Sequence, residues 1–256
     1  MKYHQISRSE PRELRFMKLM CAALMAVALM AFPCYGNLIH YYPFTIDATD
    51  VVGGANGTLL NGASVSGGNL LLDGVDDFVQ IGQKIVPTSG SYSVALFARQ
   101  TTAQSNFIEL ISQGFSGGPG FYIGHDPSGF IRVSDSWNSL IEPFPSDGQF
   151  HHFAVTVDAD TDNSRLYVDG VLTDTFGSTI ATTSGGTDTR FGRQFNPFLE
   201  FFGGALDEVR IYDASLTAGE VAQLTAVPEP STLVLLVIAL LGTGGYGCWR
   251  KRRVHR

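Results

Sequence analysis

SYSVALFAR, from Ser91 to Arg99, places Tyr92, Val94, Leu96 and Ala98 on one face and Ser93, Ala95, Phe97 and Arg99 on the other. Successive side chains of a strand point to opposite faces, so this period of two predicts a β-strand with a buried side. Similar runs occupy Phe107 to Ile111, Phe121 to Gly124, Phe130 to Ser134, Phe150 to Val157, Arg165 to Val168 and Gly204 to Tyr212. Clusters of Gly, Asn, Asp, Ser and Pro separate them, and many short strands at such spacing predict a sandwich or jelly roll. Asp169-Gly170, between Tyr167-Val168 and Val171-Leu172, is the residue pair that a two-residue hairpin turn favours. One helix is expected, from Ala218 to Leu224. Thr217 and Glu220 form a capping box, and Leu216 and Val221 are spaced for a hydrophobic staple.

A chain of 256 residues is long enough for one substantial domain with attachments. Charged residues make up 16%, aromatics 11%, and there are 29 glycines, which fits a turn-rich all-β protein and argues against disorder. The net charge of −7 is unevenly distributed, because Asn37 to Val227 holds 7 basic against 21 acidic residues. A region at −14 lacks the electrostatic footprint of a nucleic-acid binder.

Both ends read as addresses. Leu19 to Phe32 is an uninterrupted apolar run behind Lys18, and Cys34 and Gly36 are small residues placed for cleavage before Asn37. That is the pattern of a secretory signal peptide over residues 1–36, for which Met17-Lys18 would also serve as a start. Thr232 to Trp249 carries no charge over 18 residues, which as a helix spans ~27 Å, and Arg250-Lys251-Arg252-Arg253 follows. Basic residues on that side keep the tail cytoplasmic and leave the acidic domain outside the inner membrane. Before this span stands Val227-Pro228-Glu229-Pro230-Ser231-Thr232. Motif, apolar helix and basic tail in that order resemble a PEP-CTERM sorting signal, here over residues 227–256. The resemblance rests on Pro228, Glu229 and Pro230. It implies a Gram-negative bacterium making extracellular polysaccharide, signal peptidase and exosortase as processing partners, and a final place at the cell surface or in the extracellular matrix.

The central segments resemble the LamG-like, concanavalin A-like jelly rolls. The matching stretches are LLLDGVDDFVQIG (Leu70 to Gly82), SYSVALFARQ, DGQFHHFAVTVD (Asp147 to Asp158), RLYVDGVL (Arg165 to Leu172) and GGALDEVRIYDASLTAGEVAQL (Gly203 to Leu224). The implied fold is an all-β antiparallel sandwich over residues 37–226 with one short C-terminal helix. Phe150 stands where the family usually has Trp, and is expected to fill the same core position. Cys21, Cys34 and Cys248 all lie outside the domain, so its stability must come from its core.

Several constellations invite chemistry. The resemblance implies a calcium ion joining the first loop to the last strand. Asp47, Asp50, Asn56 and Asp207 would supply hard oxygen ligands; alternatively, Asp50 and Asn56 make Asx turns and Asp207 meets Arg210. Asp158, Asp160, Asp162, Ser164 and Asp169 mimic EF-hand spacing, but Asn163 replaces the turn glycine and the flanks read as strands, so a hairpin loop is expected. Ser116 in Gly114-Phe-Ser-Gly-Gly118 lacks the strand-to-helix context of a nucleophile elbow. His151 and His152 are neighbours on a strand and point to opposite faces, one packed and one exposed. Glycoside hydrolysis needs two carboxylates about 5–9 Å apart. No such pair falls within one strand, because Glu109 stands among apolar residues and Asp207 and Glu208 alternate faces.

The expected function is therefore that of an exported, non-catalytic envelope or matrix protein whose domain binds polysaccharide or a surface protein. Loop aromatics Trp137, Phe144 and Tyr42 would stack on sugar rings, although Trp137 suits a core equally well. A glycoside hydrolase or polysaccharide lyase, and a purely adhesive module without a small ligand, are the alternatives on the same fold.

Overall fold

The computed structural model describes residues 36–225 except 102, 115–119, 135–136, 138–141, 181, 183–184 and 195–199. Ser116, Pro228, Glu229, Pro230, residues 1–35 of the expected signal peptide and the expected transmembrane stretch lie outside the described residues. Among the described residues, no helix is long and apolar enough to cross a membrane.

In chain order the strands are β1 (Leu38–Tyr42), β2 (Thr58–Leu60), β3 (Ser64–Ser66), β4 (Asn69–Asp73), β5 (Phe78–Ile81), β6 (Tyr92–Gln100), β7 (Ile108–Gln113), β8 (Phe121–His125), β9 (Ile131–Val133), β10 (His151–Asp158), β11 (Asn163–Val168), β12 (Val171–Phe176), β13 (Thr189–Phe191) and β14 (Gly203–Tyr212). One sheet runs β12-β11-β10-β6-β14-β4-β3, with β1 also paired to β14; the other runs β2-β5-β13-β7-β8-β9. Every pairing among the described strands is antiparallel. The two sheets enclose a common apolar core, as the strand pattern requires.

β6 shows why the alternation decides the fold. Tyr92, Val94, Leu96 and Ala98 are all buried in the core cluster, while the opposite set leaves Phe97 and Arg99 half-buried on the outer face. Asp169 and Gly170 both take positive φ, 50° and 77°, giving the tight turn between β11 and β12.

The helix α1 (Ala218–Thr225) begins at the expected capping box. Thr217 N–H donates to Glu220 Oε2 at 2.7 Å, and Glu220 N–H returns to Thr217 Oγ1 at 3.3 Å. Leu216 and Val221 are both buried, as a staple demands. The chain leading into α1 is fastened to the outer face of β6. Ser93 Oγ donates to the Ala214 carbonyl at 2.8 Å and accepts from Leu216 N–H at 2.9 Å. The helix end lies beside Gly170, where any Cβ would come within 3.1 Å of Thr225 Cγ2.

Candidate functional site

Phe97 is an aromatic on the solvent side of a strand. The ladder places it directly opposite His152 on β10 and Asp207 on β14. Opposed residues of antiparallel strands share a face, so Asp207, Phe97 and His152 form one row across three adjacent strands. Asp169, at the end of β11, continues it: Asp169 N–H donates to the His152 carbonyl, and His152 N–H donates to Asp169 Oδ1. The row is the floor of a groove of about 520 Å³. Phe150, Glu208 and Arg210 line its sides, and Leu224 and Thr225 at the end of α1 close one wall.

Asp207 and Glu208 do not alternate faces as strand periodicity predicts. The register of β14 against β6 shifts between Asp207 and Arg210, and Glu208 adopts φ 52°. Such a bulge turns two successive side chains towards one side, and both line the groove. Their environments differ. Glu208 accepts from Tyr41 Oη at 2.7 and 2.9 Å and is paired with Arg210. Asp207 accepts its own neighbour's amide, Glu208 N–H, at 2.8 Å. Burial pushes its carboxyl up to about 6, against the opposing pull of Arg210.

His152 is 1% exposed, and neither ring nitrogen has a hydrogen-bond partner among the described residues. Its ring packs against Phe97 in a T-shaped arrangement, the ring centres 4.9 Å apart. Burial, helped by the charge of Arg210 and opposed by Asp169, brings it down to about 4, so it is a neutral imidazole near neutral pH. His151 projects the other way and bridges Asp169 at 2.7 Å and Asp147 at 3.1 Å. Partial burial disfavours its protonation, but the bonds to Asp169 and Asp147 outweigh that and raise its pKa. One histidine is packed and one partly exposed, as expected.

A carboxyl whose folded pKa lies above its unfolded value costs stability once pH has risen through both. Asp207→Asn should therefore stabilise the protein above about pH 6 and change nothing below about pH 4, the window being set by the shift to about 6. Allowing for solvent screening, the gain is about 1 kcal/mol, or about 2–4 °C in Tm. Thermal melts of both proteins across that range provide the check.

The four oxygen donors expected around calcium are not brought together. Asp50, 4% exposed, accepts from the backbone N–H of Tyr41, Val52, Gly53 and Ala55 and lies 2.6 Å from His40 Nδ1. Asn56 Oδ1 accepts from Asp50 N–H, and Asp47 Oδ1 from Thr49 N–H. These are the Asx-type turns of the alternative reading. Asp207 is in the groove instead, and among the described residues Asp47, Asp50 and Asp207 form no group with oxygens within 4.8 Å of one another. The first loop reaches the last strand through the β1–β14 ladder and the Tyr41–Glu208 bond.

The three aromatics expected to stack on sugar lie inside. Tyr42 is fully buried, donates to the Ala55 carbonyl at 2.6 Å and meets Phe191 edge-on at 4.9 Å. Trp137 stacks on Phe176 at 5.6 Å, and Phe144 on Phe153 at 5.0 Å. Tyr42 ends β1 facing the core, and Trp137 and Phe144 fold inward from the segments between strands because their large apolar area favours burial. Phe150 does the reverse: it lines the groove with the Arg99 guanidinium 4.7 Å from its ring centre. Glu109 is not isolated either. It is buried within 3.8 Å of Arg132 Nη1, which also lies 3.9 Å from Glu200, and Gln194 Nε2 donates to it at 3.3 Å. The EF-hand-like aspartates are spread over two turns, Asp158 accepting from Thr161 and Asp162 from Thr179 N–H.

The family model described as concanavalin A-like lectin/glucanases superfamily matches residues 73–222. The chain belongs to that superfamily. A second model, the PEP-CTERM protein-sorting motif, matches residues 226–253, which implies export to the cell envelope and processing by exosortase. No curated protein matches the chain. Among solved structures, this concanavalin A-like domain is similar to domain 4 of AbnA, a GH43 extracellular arabinanase from Geobacillus stearothermophilus, in complex with arabinotriose. The identity is 20% and the TM-score 0.61, covering 75% of this chain and 99% of that one. It is also similar to Trypanosoma rangeli sialidase in complex with 2,3-difluorosialic acid, at 13% identity and TM-score 0.58, covering 85% of this chain but 39% of the sialidase. This chain thus spans about two fifths of that enzyme, and at these identities the shared property is the fold.

Phe97, Phe150 and His152 line the groove although sequence reading assigns none of them a ligand role: Phe150 is expected in the core, one histidine of the pair is expected to be packed, and Phe97 is assigned only to a face of its strand. The available signal was Phe97 itself, a large aromatic on the polar side of an alternating strand.

Proposed function

We propose that this exported protein is a non-catalytic carbohydrate-binding component of the cell envelope or extracellular matrix, and that the groove over Phe97 is its binding site. The observation that carries the reading is the buried imidazole of His152, unpartnered among the described residues, lining a groove with partly exposed Phe97 and Phe150 and the carboxyl of Asp207. Aromatic faces with a few fixed polar groups are what a sugar ring needs: apolar C–H surface on one side and hydroxyls at its edge. The arabinotriose bound by the similar arabinanase domain supports the same reading. The test is a glycan array probed with the full chain. Binding to at least one polysaccharide, competed by its free oligosaccharide, is expected. No binding across the array at millimolar oligosaccharide would overturn the reading.

One observation favours hydrolysis instead: Asp207 and Glu208 share the groove, the first with a raised pKa and the second paired with Arg210. Glycosidases approach the scissile bond from two sides with carboxyls about 5–9.5 Å apart. Two adjacent residues on one strand, one of them held by Tyr41 and Arg210, do not supply that arrangement, so binding is preferred. Release of reducing ends from a bound polysaccharide, abolished by Asp207→Asn, would reverse the preference.

A further inference from the structure

We infer that the groove holds a single uncharged sugar ring lying on Phe97, with Asp207 and His152 hydrogen-bonding opposite edges of it, and that it discriminates against uronic acids. The inference rests on the carbohydrate-binding reading and adds the ligand's charge and its contacts.

The spacing comes from the ladder. Adjacent strands lie about 4.8 Å apart, so the backbones of Asp207 and His152 stand about 10 Å apart with Phe97 midway. No single hydroxyl bridges that distance. A ring stacked on Phe97 presents hydroxyls to both ends at once. The two ends offer complementary chemistry: a neutral imidazole has one N–H to donate and one nitrogen to accept, and a carboxylate accepts. Among the described residues His152 is buried without a partner, a cost that a ligand hydroxyl would relieve.

Charge then selects among sugars. Around Asp207 stand Glu208 and Arg210 from its own strand, Asp169 beyond His152 and Tyr41 from β1, with Arg99 of β6 one row along, opposite Ala205 and over Phe150. Arg210 is committed to Glu208, Arg99 stacks on Phe150, and Asp169 is bridged by His151. Asp207 makes no ion pair of its own among the described residues, and Arg210 pulls on it only from longer range. The groove already resists ionisation of that carboxyl, and the region from Asn37 to Val227 carries −14. A ligand carboxylate would add a second negative charge to this partly desolvated site, where like charges repel more strongly than in water.

The test uses the full chain in a sugar-free detergent, near neutral pH and at physiological ionic strength. The probes are 1,4-linked tetrasaccharides of glucose, galactose and mannose, each paired with the tetrauronate of the same configuration, and binding is read by calorimetry. At least one neutral sugar is expected to bind, with its uronate at least tenfold weaker. Asp207→Asn should narrow that gap, and Phe97→Leu, checked for an unchanged melting curve, should abolish binding of the neutral sugar. A uronate that binds as tightly as its neutral partner, or a gap that survives Asp207→Asn, would overturn this inference and leave the carbohydrate-binding reading standing. Silence from every neutral and charged probe would overturn this inference, and silence across the glycan array as well would bring down the carbohydrate-binding reading itself.

Discussion

Replacing Asp50 with alanine is expected to destabilise the protein by about 3–5 kcal/mol and lower its Tm by about 10–15 °C. The carboxylate is 4% exposed and is the common acceptor for four backbone N–H groups of β1 and the loop after it, with His40 Nδ1 as a fifth partner at 2.6 Å. Alanine leaves the Tyr41 and Ala55 amides half-buried or buried without an acceptor, removes the anchor of the exposed Val52-Gly53 turn, and puts nothing of the same shape in place of the oxygens. The same loop carries the Ala55 carbonyl that accepts from Tyr42 in the core, so its disorder would propagate inward. Asp50→Asn keeps one acceptor oxygen and should lose roughly half as much. Burial opposes ionisation of Asp50, but the bonds from His40, Tyr41, Gly53 and Ala55 prevail and hold its pKa below the usual carboxylate range. Its contribution is therefore complete above the unfolded carboxyl value of about 4 and is lost as pH falls through the lower folded value. Thermal melts at neutral pH and in acid should show the gap between the wild-type protein and Asp50→Ala closing in acid. A gap of under about 1 kcal/mol at neutral pH would mean that the loop finds other acceptors.

Asp50 also marks how much of the molecule its sequence discloses. Local rules were sufficient wherever one segment decides its own structure. The Asp169-Gly170 turn, the Thr217–Glu220 box and the inward set of β6 follow from turn chemistry, capping and periodicity, and each is present as expected. The site was not legible, because it depends on register between segments far apart in the chain. Phe97, His152 and Asp207 are separated by more than fifty residues at each step, and only the ladder of three strands places them in one row. The bulge at Glu208 defeated the period-of-two argument at the one place where it mattered for chemistry. Asp50 was legible as a turn-former, but not as the acceptor for β1, since the Tyr41 amide comes from a neighbouring strand.

Phe144 and Phe150 separate folding from binding within six residues of one another. Phe144→Ala should cost about 3–5 kcal/mol, the usual range for deleting a buried phenyl ring, because its ring is 6% exposed and stacks on Phe153 at 5.0 Å and 15°. The fraction that remains folded should bind sugar with unchanged affinity, since Phe144 does not line the groove. Phe150→Ala should show the opposite balance. Its ring is partly exposed and its noted contact is the guanidinium of Arg99, so its loss should cost about 1 kcal/mol of stability. It also removes an apolar side of the groove, and affinity for the sugar should drop at least tenfold, about 1.4 kcal/mol. Urea denaturation and calorimetric titration on the same two preparations measure both quantities. If Phe144→Ala lost affinity in its folded fraction while Phe150→Ala kept it, the binding surface would belong with the interior aromatics, and the row built on Phe97 would be a packing feature of the sheet.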